Sequence, residues 1–112
     1  IIVDDICDTA GTLCAAAEVL MQNGAAEVHA YISHGVLSDP AVQRVTDSVL
    51  KSLVITDSIQ PTAKTLAAKN IRVVSVAPLF AQAILNVKND TSVSSLFDDE
   101  RLAPLYEVQY PA

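Results

Sequence analysis

IIVDDICDTAGT, residues 1–12, places an apolar run immediately before a cluster of acidic and small residues. The apolar run at 1–3 is typical of the end of a buried strand. Apolar residues then recur at helical spacing over 12–23, namely Leu13, Ala16, Ala17, Leu20 and Met21. A strand, a short loop and a helix in this order indicate the start of a β–α unit.

The same alternation continues along the chain. Strands are predicted at 27–33, 52–56 and 71–76, and helices at 40–47, 62–69 and 78–87. Pro40 suits the first turn of the second helix, with Ser38 or Asp39 as its cap. Because short apolar runs alternate with helical patterns, we predict an α/β fold: a parallel twisted sheet with flanking helices and right-handed crossovers.

Composition excludes several classes of partner. The 112 residues carry a formal net charge of −6, whereas nucleic acid and anionic membranes require a basic surface. No apolar stretch approaches the roughly 20 residues that a membrane span needs, and three aspartates interrupt the N-terminal ten residues, unlike a signal peptide. Cys7 and Cys14 are expected to be reduced thiols. We therefore predict a cytoplasmic protein that binds neither nucleic acid nor membrane.

The two ends of the chain differ from its middle. The chain opens inside an apparent buried strand, and a parallel strand has to be fed by a crossover. We therefore expect a preceding N-terminal part. Residues 98–112 lack clear periodicity and contain Pro104 and Pro111, which predicts an irregular tail.

The loop at 8–12 has the composition of a phosphate-binding loop. Small residues allow a tight turn in which successive backbone N–H groups point at one oxyanion. The following helix adds unpaired donors and a partial positive charge at its N-terminus. Thr9 and Thr12 supply hydroxyl groups. The pattern predicts an anion site.

The neighbouring carboxylates would repel a phosphate unless they bind another part of the ligand. An ionised carboxylate only accepts hydrogen bonds, so a vicinal diol is a suitable partner for Asp4 and Asp5. A ribose 5-phosphate offers a diol and a phosphate together, and these carboxylates can also reach Mg²⁺. The alternative is that the acids are ordinary turn residues and that Asp8 caps the helix.

Basic residues lie far along the chain from this loop. A transition state that transfers a phosphoryl or diphosphoryl group needs cationic clamps. Such clamps have to come from folding, from another subunit or from an N-terminal part, and we favour the last. The lysines and arginines are Arg44, Lys51, Lys64, Lys69, Arg72, Lys88 and Arg101.

The segment VDDICDTAGT resembles the phosphoribosyl pyrophosphate motif shared by type I phosphoribosyltransferases and phosphoribosyl pyrophosphate synthetases. Four later segments resemble the C-terminal half of the synthetases. They are NGAAEVHA at 23–30, SHGVLSDPA at 33–41, VITDSI at 54–59 and SVSSLF at 92–97. The resemblance covers residues 1–97 and implies a type I phosphoribosyltransferase-like fold, with the N-terminal half of the synthetase absent.

The resemblance also implies an activity. Synthetases of this family, ribose-phosphate diphosphokinases, transfer the diphosphoryl group of ATP to the C1 hydroxyl of ribose 5-phosphate with Mg²⁺, and they form homo-oligomers. Their ATP-binding and catalytic residues precede the matched segment. The resemblance therefore implies no catalytic residue in this chain and no turnover by residues 1–112 alone.

Site residues follow from the matched motifs. The resemblance implies that Asp4 and Asp5 face the ribose hydroxyls and Mg²⁺. Ser92, Ser94 and Phe97 would belong to a regulatory nucleotide or phosphate site. The ligands implied for the 5-phosphate are Asp8, Thr9, Ala10, Gly11 and Thr12. Ala10 stands where glycine is frequent, so a negative φ is expected there.

Two alternatives remain at this point. The first is a non-catalytic regulatory subunit associated with a synthetase, which keeps the fold and the loop. The second is a type I phosphoribosyltransferase, which the segments at 33–41 and 92–97 disfavour.

Overall fold

The computed structural model describes residues 1–106. It contains two compact units, Ile1–Ser75 and a second that begins at Val76. The elements of the first unit are β1 (Ile2–Cys7), α1 (Gly11–Gln22), β2 (Val28–Gly35), α2 (Ala41–Asp47), β3 (Leu50–Thr56), α3 (Ala63–Ala67) and β4 (Ile71–Val74). Those of the second unit are α4 (Ala77–Lys88), a 3₁₀ turn (Ser94–Phe97) and α5 (Asp99–Tyr106).

The first unit is built on a four-stranded parallel sheet in the order β1-β2-β3-β4. Alternate residues of the central strands are buried, as successive side chains of a strand point to opposite faces. In β2 these are Val28, Ala30 and Ile32. They form one core with residues of α1 and α2. The predicted α/β class with a parallel sheet and flanking helices is confirmed.

Strand β1 is longer than the sequence indicated. Asp4 pairs with Ile32, and the ladder continues through Ile6 to Cys7. The two aspartates that were expected in a loop therefore lie within the strand. Backbone pairing with the adjacent β2 continues the strand through polar residues. An apolar pattern in the sequence could not predict this extension.

The start of α2 also differs from the prediction. Pro40 is the N-cap and makes no side-chain capping bond, so the expected cap at Ser38 or Asp39 is wrong. The Asp39 carboxylate instead accepts hydrogen bonds from Lys64 Nζ at 3.2 and 3.3 Å. Helix α2 is held by Ala41 and Val45, which are one turn apart and fully buried.

Part of the tail that was predicted to be irregular forms the helix α5 in the second unit. Asp99 and Glu100 in its first turn complement the positive end of the helix dipole. The amides of Arg101 and Leu102 donate to the Asp98 carbonyl. The prediction of an irregular tail is wrong for Asp99–Tyr106, and its remainder at 107–112 lies outside the described residues.

Each helix found between residues 1 and 106 is too short or too polar to cross a lipid bilayer.

Candidate functional site

The loop between β1 and α1 enters the helix through a left-handed residue. Ala10 is the N-cap of α1 with φ 61° and ψ 6°. The expected negative φ is therefore wrong. A left-handed residue that carries a Cβ costs roughly 1–2 kcal/mol, so surrounding contacts must hold Ala10 in place. Its side chain is buried, and the backbone turns sharply at this point.

The N-terminus of α1 has no side-chain cap. The first backbone bond into the helix runs from the Cys14 amide to the Ala10 carbonyl at 3.0 Å. Within residues 1–106, the hydrogen bonds of the protein include none donated by the amides of Asp8, Thr9, Gly11 or Thr12. The alternative in which Asp8 merely caps the helix is therefore wrong. These amides are available to an anion.

A cavity of about 380 Å³ opens beside this loop. It is lined by residues of β1 from Ile2 to Cys7, by Ile32 of β2, by the loop and by the first turns of α1. The structure thus brings six of the seven predicted ligands to one cavity: Asp4, Asp8, Thr9, Ala10, Gly11 and Thr12. Asp5 is not among the lining residues. Because side chains alternate along a strand, Asp4 and Asp5 point to opposite sides of β1.

Asp4 is the acid of β1 at the cavity. One oxygen of its carboxylate, Oδ1, accepts the amide hydrogen of Asp5 at 2.9 Å. Asp4 is exposed to solvent, so the carboxylate is accessible to a ligand. It is suited to accept hydrogen bonds from sugar hydroxyls or from metal-bound water.

Arg44 reaches the loop from α2, which sequence reasoning missed. Its Nη1 atom donates to the Thr9 carbonyl at 2.9 Å, across 35 residues of sequence. A Cβ placed on Gly11 would lie 3.6 Å from the same nitrogen. One signal could have indicated this contact. With right-handed crossovers, the helix after β2 lies beside α1 when β1 and β2 are neighbours, so a long side chain of that helix can reach the loop. Folding thus brings the guanidinium of Arg44 to the site.

Cys7 lies beneath the loop at the end of β1. Burial raises the pKa of its thiol, and the nearby Cys14 adds to this effect, while a hydrogen bond from the backbone N–H of Ala10 opposes it. The thiol is consequently protonated at neutral pH and acts as a small buried group. Cys7 and Cys14 are both free thiols, as expected.

Metal-binding side chains are sparse. Between residues 1 and 106, no three His, Cys, Asp or Glu side chains are grouped so that they could hold a metal ion. Mg²⁺ usually binds one or two carboxylates together with waters and substrate phosphates. The carboxylates of Asp4 and Asp8 line the cavity, which fits a magnesium ion carried by a substrate, but not a site built from protein ligands alone.

The predicted regulatory residues lie in the second unit. The hydroxyls of Ser92 and Ser94 are 2.9 Å apart and share a hydrogen bond. Ser95 donates to the Ser92 carbonyl at 2.7 Å, which fixes the turn. The ring of Phe97 is 87% exposed. The segment therefore presents two hydroxyls and an aromatic ring to solvent.

Known proteins share both the sequence and the fold. Over 110 residues the chain is 70% identical to a ribose-phosphate pyrophosphokinase of Cereibacter sphaeroides (strain KD131 / KCTC 12085), covering 98% of this chain and 33% of that protein. Over 98 residues it is 60% identical to a protein of the same name from Rhizobium meliloti (strain 1021), covering 88% and 32%. The chain spans about a third of the length of these curated relatives.

A solved structure agrees with these relatives. The crystal structure of phosphoribosylpyrophosphate synthetase from Mycobacterium smegmatis superposes with a TM-score of 0.75 at 35% identity, covering 79% of this chain and 29% of that one. Residues 1–98 match the family model described as phosphoribosyl synthetase-associated domain. The chain therefore belongs to the phosphoribosyl synthetase-associated domain family.

Proposed function

We propose that this chain provides the ribose 5-phosphate site of a ribose-phosphate pyrophosphokinase. The observation that supports this most strongly is the uncapped start of α1, whose amides line a cavity next to Asp4. An anion and a polyol can be bound side by side there. The relatives that carry this name are longer than the chain, and the remaining parts of the catalytic apparatus would come from the segments that the chain does not span.

The phosphate would bind at the loop. The amides of Gly11 and Thr12 and the hydroxyls of Thr9 and Thr12 would donate to its oxygens. The partial positive charge at the N-terminus of α1 adds to this attraction. Asp4 would accept hydrogen bonds from the ribose hydroxyls. The proposed role of Asp5 stays a prediction, because its side chain lies on the other side of β1.

The proposed reaction transfers the β,γ-diphosphoryl group of ATP. A bond forms between the C1 oxygen of ribose 5-phosphate and the β-phosphorus, and the bond between the β-phosphorus and the α,β-bridging oxygen breaks. The hydroxyl loses its proton and AMP leaves. Mg²⁺ would neutralise charge on the phosphates. This chain would hold the acceptor sugar in position, which lowers the entropic part of the barrier.

The chain alone is expected to bind ribose 5-phosphate without turning it over. Arg44 reaches the loop, but its guanidinium is engaged with the Thr9 carbonyl. We propose that the clamps on the transferred group lie in the parts of the relatives that this chain does not span, and that the full-length protein is a homo-oligomer.

A regulatory role is proposed for the second unit. Ser92 and Ser94 would donate hydroxyl hydrogens to a phosphate, and the exposed ring of Phe97 would stack on a nucleotide base.

The test is an NMR titration of the 112-residue chain with ribose 5-phosphate and, separately, with ribose. We expect saturable shifts of the amide resonances of residues 8–12 with ribose 5-phosphate and only weak shifts with ribose, because the phosphate supplies most of the charge. Thr12→Ala should weaken binding about tenfold, since it removes a hydroxyl donor to a charged group.

Glu18→Gln is the matched control, since Glu18 is exposed on α1 and does not line the cavity. It should leave the affinity unchanged. Equal affinity for ribose and ribose 5-phosphate, or shifts confined to residues away from the loop, would rule the proposal out.

A further inference from the structure

The peptide group between Thr9 and Ala10 is held through its carbonyl. The carbonyl oxygen accepts a hydrogen bond from Arg44 Nη1 at 2.9 Å. In a trans peptide the C=O and N–H bonds point in opposite directions, so a contact that holds this carbonyl also sets the direction of the Ala10 N–H.

This peptide precedes the strained residue of the loop. Ala10 is left-handed at φ 61°, and such a conformation persists only where neighbouring contacts enforce it. The orientation of the Ala10–Gly11 peptide, and thus of the Gly11 amide, depends on that conformation. A contact that holds the Thr9 carbonyl therefore also controls where the first amides of α1 point.

Arg44 is well placed to exert this control. Ala41 and Val45 on the same helix are fully buried, so α2 cannot easily shift. The amides of Val36 and Leu37, in the segment that leads to α2, both donate to the Cys7 carbonyl at 3.0 and 3.2 Å. The loop and the approach to α2 are consequently fixed to the same end of β1.

We infer that Arg44 is a positioning residue, which holds the Thr9 carbonyl away from the cavity so that the amides of Gly11 and Thr12 face the ligand. A guanidinium bound to a neutral carbonyl forms a charge-assisted hydrogen bond, which is stronger than a neutral one. The contact is made in the chain without ligand. Its consequence for ribose 5-phosphate rests on the proposed function, whereas its effect on the loop does not.

The experiment compares Arg44→Ala, Arg44→Lys and Gln43→Ala in the 112-residue chain, with ribose 5-phosphate as the probe. Arg44→Ala should weaken binding about tenfold, because a charge-assisted hydrogen bond that organises the loop is lost. Arg44→Lys should restore part of the affinity, since lysine keeps the charge but lacks the planar fork. Gln43 is next to Arg44 and its side chain donates to Asp47 within α2, so Gln43→Ala should bind like the unmodified chain.

A second readout separates positioning from direct contact with phosphate. In the ligand-free chain, Arg44→Ala should shift the amide resonances of Ala10 and Gly11, and Gln43→Ala should not. A loss of affinity without those shifts would overturn the positioning role, and so would unchanged affinity. If the unmodified chain fails to bind ribose 5-phosphate, the proposed function fails, yet the ligand-free shifts still decide the role of Arg44. If Arg44→Ala does not fold, Arg44→Lys carries both readouts.

Discussion

Ala10 is the residue with a strained backbone conformation in the loop between β1 and α1. Its φ of 61° lies in the region that disfavours side chains with a Cβ. Small size makes the position tolerable, because alanine carries only a methyl group into the turn. A larger or β-branched side chain at residue 10 would clash more strongly with the neighbouring backbone at this φ.

We expect Ala10→Val to destabilise the fold by about 2 kcal/mol, since a β-branched residue is strained at positive φ and the site is buried. Urea denaturation gives the free energy of unfolding. Ala15→Val is the matched control: Ala15 is exposed within α1, and the same change there should cost only about 0.5 kcal/mol of helix propensity. Equal losses at the two positions would mean that residue 10 is not left-handed in solution.

Strands β2 and β3 approach each other closely at Gly35. A Cβ built on Gly35 would lie 2.6 Å from Ile55 Cδ1 and 3.2 Å from Ile55 Cβ. Ile55 is 1% exposed, so its side chain is packed on all sides by the core. The glycine at the end of β2 therefore allows the core residue of β3 to pack against the strand.

Gly35→Ala is expected to destabilise the chain by about 1–3 kcal/mol through overpacking. Gly11→Ala is its control, because a Cβ at Gly11 would make only an ordinary contact of 3.6 Å with Arg44. Thermal unfolding should show a clearly lower midpoint for Gly35→Ala and little change for Gly11→Ala. If Gly35→Ala were as stable as the unmodified chain, the close packing of β2 on β3 would be wrong.

The sequence predicted the kind and order of most elements, but not their ends. Apolar periodicity marks α1 and the buried strands because burial itself produces that pattern. It does not mark the polar end of β1, which is extended by pairing with β2, nor the short α5, where the charge of Asp99 and Glu100 complements the helix dipole.

At the scale of the whole molecule, the composition of the loop indicated an anion site, and the structure brings six of its seven predicted ligands to one cavity. Arg44 could not be found from loop composition, because its contact with Thr9 arises from the packing of α2 beside α1. The side chains of Asp4 and Asp5 point to opposite sides because β1 continues through both residues. The sequence around them did not predict that the strand extends this far.

The most direct measurement is a crystal structure of the chain with ribose 5-phosphate bound. The proposal predicts phosphate oxygens about 2.7–3.2 Å from the amide nitrogens of Gly11 and Thr12, with the ribose hydroxyls toward Asp4. A phosphate bound elsewhere, or these amides turned toward carbonyl groups of the protein, would contradict it.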